Sequence, residues 1–268
     1  MRPALDRRER AAVAELLERV RERGWPPLLR AALFGSKARG DYDGHSDVDV
    51  LVVCDVAPEA RAPAGELVGR IAEGVAARSG VRLEPWTVCA DDLRPGQRTP
   101  MLVDAVHDSV PLWPPGAPPL RARFMPADAV FCASRLLEWV EAGGAVTRRA
   151  LQEGCWAEAA ARARDDIVRL ATAALLLAGD TRHRRVGSLR RFDRIFVRGG
   201  YVPPAVRPAL AWAAAAYPPD GGRGHEDPPA SPRALRTAPL GYELAGTMAG
   251  ALMVPILRRI AELDGQLS

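Results

Sequence analysis

The chain reads as α+β, a small mixed β-sheet with flanking helices followed by an all-helical bundle. Three observations predict this. Strand-like and helix-like patterns alternate up to Trp113. The run Pro114-Pro115-Gly116-Ala117-Pro118-Pro119 then interrupts both periods, as a linker does. From Ala127 onward no segment alternates like a strand, whereas apolar residues recur at helical spacing. Two domains are therefore expected, 1–118 and 119–268.

In the first domain, Leu5 to Arg23 carries Ala12, Val13, Leu16, Leu17 and Val20 on one helical face, and Trp25-Pro26-Pro27 stops it. Leu28 to Phe34 reads as a strand ended by Gly35. Asp47 to Cys54 is a second strand, Glu66 to Ser79 a helix closed by Gly80, and Val81 to Cys89 a third strand. Pro100 to His107 reads as a short helix, and Ser109 to Trp113 as a return strand. In the second domain helices are expected at Ala127–Ala142, Val146–Leu177, Pro204–Tyr217 and Gly241–Leu263, with Tyr217–Pro232 as a Pro- and Gly-rich loop.

Composition narrows the class. Hydrophobic residues make up 48%, enough for proper cores, and charged residues 26%, which argues against wholesale disorder. The net charge is +4, carried almost wholly by arginine, with Lys37 the single lysine. We read this excess as compositional bias, although arginine forks also suit phosphate. Cys54, Cys89, Cys132 and Cys155 form no CxxC pair and are expected to be reduced. Met1 to Arg10 has no apolar signal region, and the apolar run Leu170–Gly179 is too short to span a bilayer. A cytoplasmic protein without membrane contact is the expectation.

The chemistry is concentrated in two short stretches, Phe34-Gly35-Ser36-Lys37-Ala38-Arg39-Gly40 and Ser46-Asp47-Val48-Asp49-Val50. Asp47 and Asp49 are two apart on an extended segment, so their carboxylates share a face. Two such charges repel unless a cation intervenes, and a hard divalent ion such as Mg²⁺ takes carboxylate oxygens. Gly35 and Ser36 end a strand where the backbone can come close to a phosphate, with N–H groups and a hydroxyl to donate. Lys37 and Arg39 add positive charge, and Ser46 braces the start of the next strand. Asp41 and Asp43 are expected to shape the loop, and His45 to be solvated.

The string GSKARGDYDGHSDVDVLVV resembles the signature of the DNA polymerase β-like nucleotidyltransferases, above all the minimal and the antibiotic nucleotidyltransferases. The resemblance covers roughly residues 10–115. It implies a polymerase β-like domain that moves a nucleoside monophosphate from an NTP, most simply ATP, to an acceptor hydroxyl with release of pyrophosphate. It implies that Asp47 and Asp49 hold metal, with two Mg²⁺ ions. It also implies that Gly35, Ser36, Lys37, Arg39 and Ser46 hold the nucleotide. The family often has a third carboxylate on a later strand, as metal ligand or general base. Glu84 is the candidate, and Asp91 and Asp92 are the alternatives.

The helical half faintly resembles HEPN-type domains around Gly187–Tyr201, but it lacks the Arg-to-His spacing of the HEPN ribonucleases, so RNase activity is not expected. Asp165 and Asp166 lie within a helical core pattern; one could face a cleft between the domains, where the active site is expected, but exposure is the commoner outcome. Arg182, Arg184, Arg185, Arg190, Arg191, Arg194 and Arg198 form a basic cluster, so nucleic-acid contact is kept as a less favoured expectation. The acceptor is unidentified at this stage, a small molecule such as an antibiotic being one option. The rival readings are a regulatory or antitoxin-type module and a weakly active nucleotide binder. The sequence carries no signal of oligomeric state.

Overall fold

The computed structural model of the chain describes residues 5–42, 46–181, 185–215 and 236–267. It divides into two compact units, Met1–Phe124 and Met125–Ser268. The boundary falls beyond residue 118 because the residues after the proline run still belong to the first unit. Leu120 and Ala122 pack against one of its cores, and the Arg98 guanidinium donates to the Arg123 carbonyl at 2.9 Å.

The first unit contains α1 (Arg7–Glu22), β1 (Leu28–Leu33), α2 (Gly35–Arg39), β2 (Val48–Cys54), α3 (Arg61–Ser79), β3 (Leu83–Cys89), α4 (Pro100–His107) and β4 (Val110–Trp113). The sheet order is β3-β2-β1-β4. β2 and β3 run parallel, joined through α3, while β1 is antiparallel to both β2 and β4. Asp6 caps α1 by accepting from the Glu9 N–H at 2.7 Å, and Glu9 returns the bond to the Asp6 N–H. Helix α3 begins at Arg61, earlier than the apolar pattern indicates, because Pro63 sits in the first turn, where a missing N–H is tolerated.

Alternation along β2 divides the side chains between two cores. Val48, Val50, Val52 and Cys54 face α1 and α3, packing with Leu16, Val20, Val68 and Val75. Leu51 and Val53 face the other way, with Val88 of β3 and with Leu102 and Val106 of α4. Asp49 shares the parity of Leu51 and Val53, so it projects on the α4 side of the sheet.

The second unit comprises α5 (Pro126–Gln152), α6 (Trp156–Leu177), α7 (Arg185–Phe192), α8 (Arg207–Ala215) and α9 (Ala238–Leu267), with no strand among its described residues. α6 is the central helix and packs on α5 and α9. Its buried Ala159, Ala160, Ala163 and Ala171 allow close helix approach. The sequence places a break at Gly143-Gly144, but α5 continues through both glycines and stops before Gly154, which takes φ +74. Within α5, a β-carbon on Gly143 would lie 3.4 Å from the Asp166 carboxylate, an ordinary contact, so Gly143 lies beside that side chain. Helix α7, unforeseen from sequence, contains Arg185, Arg190 and Arg191 of the basic cluster, and Arg194 and Arg198 follow it; Arg191 pairs with Asp180 at 2.9 Å and Arg198 with Asp193 at 2.8 Å. Arg182, Arg184 and the loop expected at Tyr217–Pro232 lie largely outside the described residues.

Helix α9 differs from expectation too. By length and composition it would suffice to cross a membrane, with a mean hydropathy of 1.4 over its most apolar stretch. In this fold it lies along α5 and α6, burying Ala245, Met248, Leu252 and Ile256 as one stripe. Near its start, a β-carbon on Gly241 would collide with the Trp212 ring, whose N–H donates to the Thr237 hydroxyl at 2.8 Å.

Asp165 and Asp166 are not the exposed carboxylates that helical spacing suggested. Asp165 accepts from the buried Arg164 guanidinium at 3.0 Å. Asp166 pairs with Arg169 at 2.9 Å and is only 5% exposed. Burial pushes its carboxyl up to about 6, against the opposing attraction of Arg169. A folded-state value above the unfolded one means that the folded chain binds the proton more tightly, so stability falls as pH rises from about 4 to about 6. Asp166→Asn is therefore expected to gain on the wild type as pH rises across this window, by roughly 2–3 kcal/mol in total. Paired denaturant titrations at pH 4 and pH 7.5 measure this; a difference that does not change with pH would contradict it.

Candidate active site

The site is built where three elements of the first unit meet. β1 delivers Phe34 in extended conformation, and its N–H donates to the Asp49 carbonyl at 3.1 Å. The chain then turns at Gly35, with φ +71, into the single helical turn of α2. That φ lies in the left-handed region, which a side chain disfavours. The turn closes at Gly40, whose N–H donates to the Ser36 carbonyl at 2.8 Å.

Gly35 has a second role besides permitting the turn. A β-carbon built on it would lie 2.0 Å from Asp49 Oδ2. The Asp49 carboxylate therefore rests directly over the glycine, and no larger residue leaves it room. The sequence predicts clearance for a phosphate at this glycine; the structure shows that the glycine also makes room for the Asp49 carboxylate.

Parallel pairing sets the next relation. Val48 pairs with Leu83, and Asp49 with Glu84. Paired residues of neighbouring strands project to one side of the sheet, so Asp49 and Glu84 share a face. Asp47 lies just before β2, two residues from Asp49, and is half-buried like Asp49 and Glu84. The Val48 N–H donates to the Arg82 carbonyl at 2.9 Å, which locks the start of β2 to the approach of β3. Phe34 and Trp86 meet as tilted rings, 5.9 Å between centroids at 53°, and belong to the core on the same side as Asp49.

Other candidates are engaged elsewhere. Lys37, expected to face phosphate, is buried, with Nζ 2.6 Å from Glu9 Oε1 and 4.4 Å above the Tyr42 ring. It lies with Ala38 on the inward side of α2, where burial demands a counter-charge. Arg39 is exposed and meets Asp41 at 3.3 Å and Asp108 at 3.4 Å. Asp92 accepts from the Cys89 N–H at 2.9 Å and pairs with Arg61, and Asp91 pairs with Arg94. Both acidic residues after β3 thus serve the turn at Ala90–Leu93, which favours Glu84 over them as the third carboxylate. Ser36 and Ser46 are half-buried, whereas Asp43 and His45 lie outside the described residues.

The expected three-carboxylate metal cluster is not closed. Among the described residues no three His, Cys, Asp or Glu side chains form a group that could hold an ion. Asp47 is paired instead, its Oδ1 standing 2.8 Å from Arg82 Nε. This arginine carried no motif and was missed in the sequence. The donor set still fits Mg²⁺, which is commonly held by one or two carboxylates together with substrate phosphates. The glycine-seated Asp49 and the half-buried Asp47 supply hard oxygen donors of that kind.

Residues 13–81 match the family model of the nucleotidyltransferase domain. The match takes in Gly35, Ser36, Asp47 and Asp49 and stops just short of Glu84. It does not reach the helical unit, where the resemblance to HEPN-type domains rests on sequence alone. No curated protein matches the chain. Among solved structures, a spectinomycin adenyltransferase from Enterococcus faecialis, crystallised with ATP and spectinomycin, aligns at 11% identity with a TM-score of 0.43. The alignment covers 88% of this chain and 98% of that one.

Proposed function

We propose that the chain is a Mg²⁺-dependent nucleotidyltransferase that moves a nucleoside monophosphate from an NTP, preferentially ATP, to the hydroxyl of a small molecule. The observation that carries this reading is the pairing of Asp49 with Glu84 on one sheet face, with Asp49 seated over Gly35. A metal-binding carboxylate next to a second carboxylate that can accept a proton is what in-line nucleotidyl transfer requires. The nucleotidyltransferase match over residues 13–81 supports it independently.

Each residue has its part. Asp47 and Asp49 would hold the cation, whose charge would neutralise the triphosphate and polarise the α-phosphate. The turn at Gly35 and Ser36 orients the phosphates by N–H and hydroxyl donation. Glu84 takes the proton from the acceptor hydroxyl as that oxygen bonds to the α-phosphorus. The bond from the α-phosphorus to the bridging oxygen breaks, and pyrophosphate leaves with its electron pair. A hydroxylated antibiotic is the acceptor class favoured by the similarity of GSKARGDYDGHSDVDVLVV to the antibiotic nucleotidyltransferases.

Incubation with α-labelled NTPs, Mg²⁺ and a panel of hydroxylated acceptors, following pyrophosphate, tests the reading; no release with any NTP and acceptor would count against it. Glu84→Gln is expected to lower turnover about a hundredfold while leaving NTP affinity near wild type, since a general base acts on the acceptor. Equal loss of nucleotide affinity would instead make Glu84 a metal ligand.

A further inference from the structure

We infer that Arg82 is a positioning residue of this site, a tethered guanidinium that holds Asp47 in the cation's place and must move aside for a divalent ion to bind. The inference rests on the transferase reading above, and specifically on Asp47 as a metal ligand.

Three observations carry it. Arg82 Nε stands 2.8 Å from Asp47 Oδ1, and the Asp47 side chain is only 13% exposed. A half-buried carboxylate beside a second one, Asp49, needs positive charge nearby, and Arg82 supplies it. The backbone fixes the donor in reach, because the Arg82 carbonyl accepts from the Val48 N–H, between the two aspartates. The side chain of Arg82 is itself 72% exposed, so water can solvate the guanidinium once it leaves Asp47. The arrangement is thus a pair with one anchored anion and one easily released cation.

The consequence is competition. A divalent ion that takes Asp47 must displace Arg82, so the arginine weakens metal binding while keeping Asp47 oriented in its absence. A pair whose cation is exposed contributes modestly, and removing Arg82 is expected to tighten Mn²⁺ binding about three- to tenfold. Mn²⁺ titration of the full chain, read by the electron paramagnetic resonance of the free ion, compares the wild type with Arg82→Ala, Arg82→Lys and Asp47→Asn. The expected order is Arg82→Ala tightest, Arg82→Lys near the wild type, and Asp47→Asn weakest. A purely structural arginine would shift the melting temperature without tightening Mn²⁺ binding. Unchanged or weaker binding in Arg82→Ala, with Asp47→Asn still weakened, overturns the role of Arg82 and leaves the carboxylate site standing. Binding indifferent to Asp47→Asn overturns both.

Discussion

Asp49→Asn is expected to reduce nucleotidyl transfer by at least about a thousandfold while leaving the fold in place. The substitution is nearly isosteric, so the side chain still fits over Gly35. What it removes is the negative charge and one of the two oxygens that a hard cation requires. The fold should hold, because the side chain keeps its size and its place on β2 beside Glu84. Pyrophosphate release gives the activity, and circular dichroism melting gives the fold. Turnover within a few-fold of wild type, in a folded variant, would remove Asp49 from the metal site. Asp47→Asn provides a graded comparison: it also deletes a ligand, but it frees Arg82 as well, so some loss of stability at the start of β2 is expected there.

The sequence made the residue types of the site legible but not their directions. Asp47 and Asp49 are two apart before and within an apolar run, so their common face follows from strand geometry alone. That Glu84 joins Asp49 depends on the parallel register of β2 and β3, which is fixed by packing of α3 between them in sequence and leaves no local mark. Lys37 shows the limit most clearly. Its position in GSKARG suggested a phosphate contact, yet its direction depends on how one helical turn sits against α1. There Glu9, already part of a helix cap, offers its other oxygen. Arg82 escaped notice for the same reason, since its partner lies on another strand. In the helical half, Gly143-Gly144 looked like a break because two glycines weaken a helix locally. Tertiary packing decided otherwise, since α5 lies along both α6 and α9.

Gly35→Ala is expected to cost a large part of the activity that the loss of Asp49 costs, although it removes no functional group. Two independent penalties act. The φ of +71 places residue 35 in the left-handed region, where a β-carbon costs roughly 1–2 kcal/mol. The added carbon would also stand 2.0 Å from Asp49 Oδ2 and 2.8 Å from its Cγ, so the carboxylate must leave its seat. Displacing it takes the ligand out of line with Asp47 and breaks the pairing with Glu84 on their shared face. Transfer should fall by at least about a hundredfold, the penalty of a misplaced reacting geometry. Stability should fall by roughly 2–4 kcal/mol. Asp49→Ala separates the two penalties, because it removes the oxygens and the Cγ that collide while leaving the turn unchanged. In an Asp49→Ala background the further stability loss from Gly35→Ala should shrink to the backbone part, about 1–2 kcal/mol. Denaturant midpoints of the four chains in this double-mutant cycle give the coupling directly. An identical loss in both backgrounds would mean that Gly35 is there for the turn alone, and that Asp49 holds its place without it.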